Sequence, residues 1–289
     1  MTDFRFSLLK AQDMPLLHQT FLKAFADYVV PIQLNAEQFK SKLQREGIEP
    51  GFCVGAFYKE HMAGFILTGV GEWQGKPTAY NAGTGVVPVY RGHKLTQQMY
   101  MFLMSKLRES GIEVCLLEVI QGNTAALKSY QRIGMQRTRS LDCFRVRKEE
   151  LLLRADAPEN ISIAKSVKPA WEEYRSFWDI APTWQNTIAA IKRSRNDNVI
   201  LEARNQEQHL CGYIIFYPKN GAVAQLAVKE EHRCNGVSTA LLREAVNQIQ
   251  APALMCINID TKGTGVISYL KQRYFKLILS QYEMQVPIT

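Results

Sequence analysis

Two positive side chains, Arg91 and Lys94, lie at a turn between an apolar strand and an amphipathic helix. Pro88 ends the strand, and Gly92 tolerates the backbone conformations that a sharp turn requires. The first four amide groups of a helix lack an intrahelical acceptor, and the helix dipole adds about half a positive charge there. The segment therefore predicts an anion site of the kind that holds a pyrophosphate.

Glu118 is the one acidic residue in the apolar run from Val114 to Ile120. An ionised carboxylate is costly there unless its strand borders a polar cleft, and partial burial would raise its pKa. A carboxylate with a raised pKa is a better base near neutral pH, so Glu118 is a candidate general base. The alternative is that Glu118 only caps or orients neighbouring backbone and that another Glu or an ordered water serves as base.

Alternating strands and helices must position these residues. Apolar residues at helical spacing predict a helix from about Gly92 to Ser110, which Gly111 ends. A buried strand, Val114 to Ile120, follows, and a short helix then starts at Asn123-Thr124 and continues to Gly134. The predicted order is strand, anion-binding turn, helix, strand and helix.

The same unit occurs twice along the chain. Arg233 follows the strand residue Val228 at the same spacing at which Arg91 follows Val86. A repeat of this length indicates duplication of a whole domain. A charged segment that leads into Pro158 separates the copies, so we expect one domain at 1–150 and a second at 158–289.

The first copy resembles the GNAT superfamily of acyl-CoA-dependent N-acyltransferases. Five residues match every fixed position of the family pattern N-x-x-A-x-x-x-Y-x-x-x-G-F/M: Asn123, Ala126, Tyr130, Gly134 and Met135. The family's pyrophosphate pattern, Q/R-x-x-G-x-G/A, is matched by Arg91 but not by Lys94 and Thr96. Backbone amides do most of the binding in such a turn, so side chains are acceptable there, and Lys94 can add an ionic contact.

This resemblance implies an α/β fold of two tandem GNAT-like domains. Each would have a mixed, mostly antiparallel sheet with a parallel, splayed strand pair and flanking helices. Acetyl-CoA would be the co-substrate, without a metal. The residues implied to bind it are Val86, Val87, Arg91, Gly92, His93, Lys94, Leu95, Thr96, Asn123 and Tyr130.

The implied reaction is direct attack of a primary amine, from a small molecule or a peptide, on the thioester. A lysine-like amine has a pKa near ~10.4, arrives protonated and needs a base. The spacing of Glu118 and Tyr130 is similar to that of the base and acid in some N-terminal-amine acetyltransferases of the superfamily. Tyr130 would then protonate the departing thiolate. The alternative for Tyr130 is a core aromatic beside Leu127 and Ile133.

The resemblance also implies where the acceptor enters, opposite CoA and between the first two helices and the strand before the turn. The candidate acceptor residues are Asp27, Tyr28, Glu72, Trp73 and Asn81. Acidic groups at this position suit a cationic amine. Asp27 and Glu72 equally fit solvated loops, and Trp73 equally fits a residue that pins a hairpin.

The second copy differs where chemistry would occur. Gly263 and Leu270 stand in the positions of Asn123 and Tyr130. Its pyrophosphate pattern is nevertheless closer to the family pattern than that of the first copy. The second copy therefore contains a possible second acyl-CoA site, formed by Val228, Arg233, Gly236 and Ser238. We expect catalysis in the N-terminal domain and a degenerate C-terminal domain. The alternative for the whole chain is a non-catalytic acyl-CoA-binding or protein-interaction module.

The composition of the chain limits the kinds of molecule that we expect it to bind. The net charge is +8, but Lys and Arg are spread along the chain and no nucleic-acid module is recognisable, which disfavours a nucleic-acid partner. A basic rim would steer polyanionic CoA. The six cysteines form no C-x-x-C pair, which argues against zinc and disulfides. The absence of a long apolar segment or a signal-like N-terminus predicts a cytoplasmic protein without a membrane partner.

Overall fold

The computed structural model describes residues 4–28, 33–153 and 158–288. These residues form two compact units. Unit 1 lies within residues 1–139 and 282–289, and unit 2 lies within residues 140–281. Part of the expected linker, residues 154–157, lies outside the described residues.

Unit 1 contains a mixed sheet. Its elements in chain order are β1 (Phe4–Leu8), α1 (Met14–Ala24), α2 (Ala36–Glu46), β2 (Val54–Tyr58), β3 (His61–Trp73), β4 (Lys76–Val86), α3 (Leu95–Glu109), β5 (Val114–Ile120) and α4 (Thr124–Arg132). Strands β1 to β4 are antiparallel neighbours, and β4 and β5 are parallel. The predicted strand at 114–120 and the helices after it and before it are confirmed, with helix ends displaced by a few residues.

Unit 2 repeats this order. Its elements are β7 (Ser162–Lys165), α5 (Trp171–Ser176), α6 (Ile188–Arg193), β8 (Val199–Arg204), β9 (Leu210–Tyr217), β10 (Ala222–Val228), α7 (Val237–Gln248), β11 (Ala253–Asp260) and α8 (Thr264–Gln272). Strands β7 to β10 are antiparallel neighbours, and β10 and β11 are parallel. A 3-10 turn, Trp184–Asn186, precedes α6.

Two further strands are shared between the units along the chain. Strand β6 (Gln136–Arg147) begins in unit 1 and ends in unit 2, where it pairs with β11. Strand β12 (Lys276–Pro287) begins in unit 2 and ends in unit 1, where Met284 joins the core. The domain bounds expected from the sequence, 1–150 and 158–289, place β6 wholly in the first domain and β12 wholly in the second.

A bulge bends the strand before the anion turn in both units. In unit 1 the β3–β4 register shifts so that Ala82 has no partner residue on β3. In unit 2 the β9–β10 register shifts in the same way at Ala224. The separation of these two alanines along the chain equals that of Arg91 and Arg233. The duplication therefore extends from the sequence pattern to a backbone irregularity.

Alternation along β5 sorts its side chains between two cores. Cys115, Leu117 and Val119 belong to the core that contains the buried residues of α3. A second core contains the buried residues of α1 and α2. Because successive strand side chains point to opposite faces, Glu118 faces the α1–α2 side of the sheet.

Candidate active site

A gap opens between β4 and β5 of unit 1. Among the described residues, the parallel ladder starts at the Thr78–Val114 pair and ends at the Asn81–Leu117 pair. The bulge at Ala82 follows at once on β4, and β5 continues for three residues to Ile120. Among the described residues, the backbone groups of the two strands beyond the last pair are therefore not paired with each other.

Glu118 lies at the start of this gap. The Tyr80 hydroxyl donates to Oε2 of Glu118 at 2.5 Å. The other carboxylate oxygen, Oε1, is buried and has no hydrogen-bond partner among the described residues. Burial raises the pKa of Glu118 to about 7, although the Tyr80 hydrogen bond opposes the shift. The side chain can therefore take up a proton near neutral pH.

Tyr130 reaches the same gap from the opposite face of the sheet. It projects from α4, is 8% exposed, and packs edge-on against Tyr100 of α3 with the ring centroids 6.0 Å apart. Burial raises the pKa of Tyr130 to about 12, against hydrogen bonds with Thr84 and Asn81. A phenol with this pKa stays protonated at neutral pH and can act as a proton donor.

Asn81 holds the bulged strand beside Tyr130. Its Nδ2 donates to the hydroxyls of Tyr100 and Thr84, and its Oδ1 accepts from the amide of Gly83 at 2.9 Å. Asn81 is 6% exposed. Asn81, which the resemblance implies binds the acceptor, thus lies on the α3 side of the sheet. Tyr130 lies on this side, whereas Glu118 lies on the other.

The anion turn leads into α3. Gly92 and Lys94 both have positive φ angles, of 86° and 58°, and Lys94 is the N-cap residue of the helix. No side chain of the described residues caps this N-terminus. Helix amides therefore stay available to an anion, with the Lys94 charge nearby.

Arg91 is engaged by a carboxylate. Its two terminal nitrogens donate to Asp27 at 2.6 and 2.7 Å, and it also contacts the carbonyl oxygens of Ala24 and Val86. The Arg91 hydrogen bond lowers the pKa of Asp27, so the pair is charged at neutral pH. Arg91, which the resemblance implies binds CoA, therefore contacts Asp27, which the resemblance implies binds the acceptor.

Asn123 and Tyr28 form a second such contact. The Asn123 side chain caps α4 by accepting from the Ala126 amide at 3.1 Å. Its Nδ2 donates to the Tyr28 hydroxyl at 3.2 Å. The family-pattern Asn therefore starts the helix that carries Tyr130 and also holds the segment after α1.

The sequence matches the model of the acetyltransferase (GNAT) family over residues 16–135 and 165–268. The chain belongs to the GNAT family. Because both units are matched, the resemblance and the tandem α/β fold inferred from the sequence are confirmed. Membership supports acyl transfer as the general activity of the chain.

Solved GNAT structures are similar to this chain over its whole length. A GCN5-related N-acetyltransferase from Sphaerobacter thermophilus is 16% identical, with a TM-score of 0.75, over 99% of this chain and 96% of its own. A tandem GNAT protein from the clavulanic acid biosynthesis pathway, without AcCoA, is 12% identical, with a TM-score of 0.74, over 99% of both chains. At such identities the likeness concerns the fold. A search of curated proteins found no match.

The other residues that the resemblance implies for the site of this GNAT chain lie either around the anion turn or at the β3–β4 hairpin. Val87 donates its amide to the Ala63 carbonyl, and Leu95 is buried in the core, so both are committed to the fold. His93 lies beside the Phe4 ring and Thr96 is in the first turn of α3. Glu72 and Trp73 lie at the β3–β4 hairpin, at the end of β4 away from the anion turn.

Trp73 is buried against Arg139. The guanidinium lies 5.3 Å from the Trp73 ring centroid and pairs with Glu283 of β12. Glu72 is exposed. No pattern in the sequence singles out Tyr80 or Thr84, because the partners of polar residues in a strand depend on the strand register.

The corresponding residues of unit 2 are apolar. Ala222 pairs with Met255 as Tyr80 pairs with Leu116, which aligns Ile257 with Glu118. By the same alignment Val223 stands in the position of Asn81. At these three positions unit 2 therefore has no counterpart of the Tyr80 hydroxyl, the Asn81 amide or the Glu118 carboxylate.

The gap of unit 2 is also bridged by its own chain. The Gln225 side chain on β10 donates to the Asn186 carbonyl at 2.6 Å, and Asn186 Nδ2 donates to the Ile257 carbonyl on β11 at 3.1 Å. Asn186 and its neighbour Trp184 are 5% and 2% exposed. The 3-10 turn thus connects the two strands beyond their paired residues.

The anion turn is repeated in unit 2 with the same kind of contact. Gly236, in the position of Lys94, has a φ of 82°, and Ser238 lies in the first turn of α7. Arg233 donates to the Val228 carbonyl at 3.1 Å and to Asp179 at 3.1 Å. The Arg–Asp pair is therefore a feature of both units.

Neither a membrane-spanning helix nor a metal-binding cluster is seen in the described part of the chain. No helix there is long and apolar enough to cross a membrane. No cluster of three or more His, Cys, Asp or Glu side chains with the arrangement of a metal site occurs in residues 4–28, 33–153 and 158–288.

Proposed function

We propose that unit 1 catalyses acetyl transfer from acetyl-CoA to a primary amine of a small molecule or a peptide. The observation that carries this proposal is the placement of Glu118 and Tyr130 at one gap, on opposite faces of the sheet, with pKa values suited to a base and an acid. Two groups of this kind can act on opposite sides of a thioester carbonyl.

The residues of the anion turn fit the pyrophosphate of CoA. The anion turn and the uncapped N-terminus of α3 together offer amides from Gly92 to Thr96, and Lys94 adds a charge. The unpaired ends of β4 and β5 offer backbone groups to the amides of the pantetheine arm. Arg91 can join the pyrophosphate site only when its contacts with Asp27 are released.

The chemical step uses both protonatable side chains. Glu118 Oε1 takes a proton from the ammonium form of the acceptor, and the neutral amine nitrogen forms a bond to the thioester carbonyl carbon. When the carbon–sulfur bond breaks, the electron pair leaves with sulfur, and the Tyr130 hydroxyl supplies the proton that completes the thiol. The amide nitrogen gives up its second proton, which restores the Tyr130 hydroxyl, and Glu118 releases the first proton to solvent.

We assign unit 2 the role of a scaffold copy without turnover. Its apolar replacements and the bridge through Asn186 favour this role over a second acyl-CoA site. The non-catalytic interaction module remains the alternative for the whole chain, and it predicts no turnover by either unit.

A turnover assay tests the proposal. Thiol release from acetyl-CoA is measured with a panel of amines and N-terminal peptides, for the wild-type chain, Glu118→Gln and Tyr130→Phe. We expect acceptor-dependent release that each substitution lowers about 100-fold, with acetyl-CoA affinity by calorimetry largely unchanged. Acetyl-CoA binding without release for any acceptor would favour the interaction module, and full activity of Glu118→Gln would reject Glu118 as base.

A further inference from the structure

Tyr80 is a buried residue that no part of the family pattern includes. Its side chain is 2% exposed, and its strand position pairs with Leu116, two residues before Glu118. In a parallel pair this register brings the Tyr80 hydroxyl alongside the Glu118 carboxylate on one face of the sheet. The hydroxyl then donates to Oε2 at 2.5 Å.

The two oxygens of Glu118 are in different situations as a result. Oε2 is occupied by Tyr80, whereas Oε1 is buried and has no hydrogen-bond partner among the described residues. A buried polar atom without a partner is costly, and such atoms occur at functional sites where a substrate supplies the missing bond. A carboxylate bound at one oxygen also has fewer rotamers available.

We propose that Tyr80 is a positioning residue, which holds Glu118 by Oε2 and thereby directs Oε1 to the proton of the acceptor amine. This inference rests on the proposed role of Glu118 as base. Tyr80 keeps its own proton throughout, and the proton that is transferred moves from the amine nitrogen to Oε1. Tyr80 also supports the ionised form of Glu118, because it can donate to a carboxylate.

Charged groups from three other elements act on Glu118. Glu46 at the end of α2 and Glu283 of β12 disfavour its ionised form, and Arg139 of β6 favours it. Among the groups that act on Glu118, Tyr80 makes the direct hydrogen bond, so its removal should have the largest single effect on the titration. Glu46 and Glu283 have cationic partners of their own, Lys42 and Arg139.

Unit 2 contains a matched control. Tyr174 is fully buried and donates to Glu202 Oε1, also at 2.5 Å. Tyr174→Phe removes the same kind of phenol–carboxylate bond as Tyr80→Phe, but in a unit where Ile257 stands in the position of Glu118. Both substitutions should lower thermal stability, whereas Tyr80→Phe alone should change the properties of Glu118.

The decisive experiment is a carbon-13 NMR titration of glutamate carboxyl groups in the purified full chain. The Glu118 signal is assigned by its loss in Glu118→Gln. We expect its midpoint to rise by about one pH unit in Tyr80→Phe and to stay unchanged in Tyr174→Phe. An unchanged midpoint in folded Tyr80→Phe, or an equal shift in Tyr174→Phe, would overturn the positioning role. This readout needs no acceptor, so it is independent of whether the turnover assay succeeds.

Turnover gives the second readout. In Tyr80→Phe we expect kcat to fall about 10-fold at pH 7 and the acid limb of the pH profile to move upward, while acetyl-CoA affinity stays constant. A loss confined to KM for the acceptor, with an unmoved pH profile, would reject the proposal even if Glu118 is the base.

Discussion

Arg91 forms a two-pronged ion pair with Asp27, with nitrogen–oxygen distances of 2.6 and 2.7 Å. The pair ties the segment after α1 to the turn before α3. In unit 2, Arg233 contacts Asp179 through one nitrogen, at 3.1 Å. Arg91 is therefore already bound to an anion supplied by the chain, and in the proposed function an incoming pyrophosphate would have to compete with this carboxylate.

Asp27→Asn should remove this competition. Both side chains of the pair are substantially exposed, so the loss should change stability little. We expect acetyl-CoA affinity, measured by calorimetry, to increase several-fold because the Arg91 guanidinium becomes available. Asp179→Asn is the matched control and should leave the affinity unchanged. Weaker binding by Asp27→Asn would show that the pair organises the site rather than competing for it.

The chain should bind one acetyl-CoA. Arg91→Glu places a negative charge in the turn of unit 1 and should abolish binding, whereas Arg233→Glu should leave one site with wild-type affinity. The physical reason is that the Asn186 bridge occupies backbone and side-chain groups in the gap of unit 2. Native mass spectrometry and calorimetry give the stoichiometry. Two sites in the wild-type chain, one of them lost in Arg233→Glu, would contradict the scaffold role of unit 2.

Glu118→Gln should stabilise the protein at alkaline pH while lowering turnover about 100-fold. Burial raises the pKa of Glu118 from 4.5 in the unfolded chain to about 7 in the folded one. Its protonated form therefore favours folding below pH 4.5, and this contribution is lost as pH rises through about 7. At pH 8 the ionised carboxylate costs on the order of 3 kcal/mol.

Thermal unfolding at pH 5 and pH 8 measures this difference. We expect the Tm advantage of Glu118→Gln over the wild-type chain to be larger at pH 8 than at pH 5. An advantage that is equal at both pH values would mean that the titration of Glu118 is not responsible. Turnover of the wild-type chain should rise through the same pH range, because the carboxylate form is the base.

Lys94→Gly should separate the backbone role of this position from its charge. Lys94 has a φ of 58°, which disfavours any residue with a Cβ by about 1 kcal/mol, although the greater freedom of an unfolded glycine offsets part of the gain. Stability should therefore change by less than about 1 kcal/mol. Acetyl-CoA affinity should fall several-fold, with a weaker salt dependence, because one charge is lost.

Lys59→Gly is the control for this experiment. Lys59 also has a positive φ, of 52°, but it lies in the turn between β2 and β3. The two variants should have similar stability, and only Lys94→Gly should have a changed affinity. Equal affinities for the two variants would remove Lys94 from the anion site.

The sequence alone determined the local features of the site. Strand periodicity, the Pro–Gly turn and the Asn123 cap each depend on residues that are close along the chain, and the observed β5, α3 and α4 follow from them. The family pattern on α4 and the repeated Arg spacing are local in the same sense. They were sufficient to predict the tandem α/β fold and to bring Glu118 and Tyr130 forward as candidates.

Only the tertiary structure decided the partners of these residues. The Tyr80–Glu118 bond depends on the register of two parallel strands, and a shift by one residue would turn either side chain to the other face. The Arg91–Asp27 pair and the Asn186 bridge depend on how a loop after a helix returns to the sheet. Such contacts join residues that are distant along the chain and have no period or cap to reveal them, so folding alone determines which oxygen, amide or guanidinium remains available for chemistry.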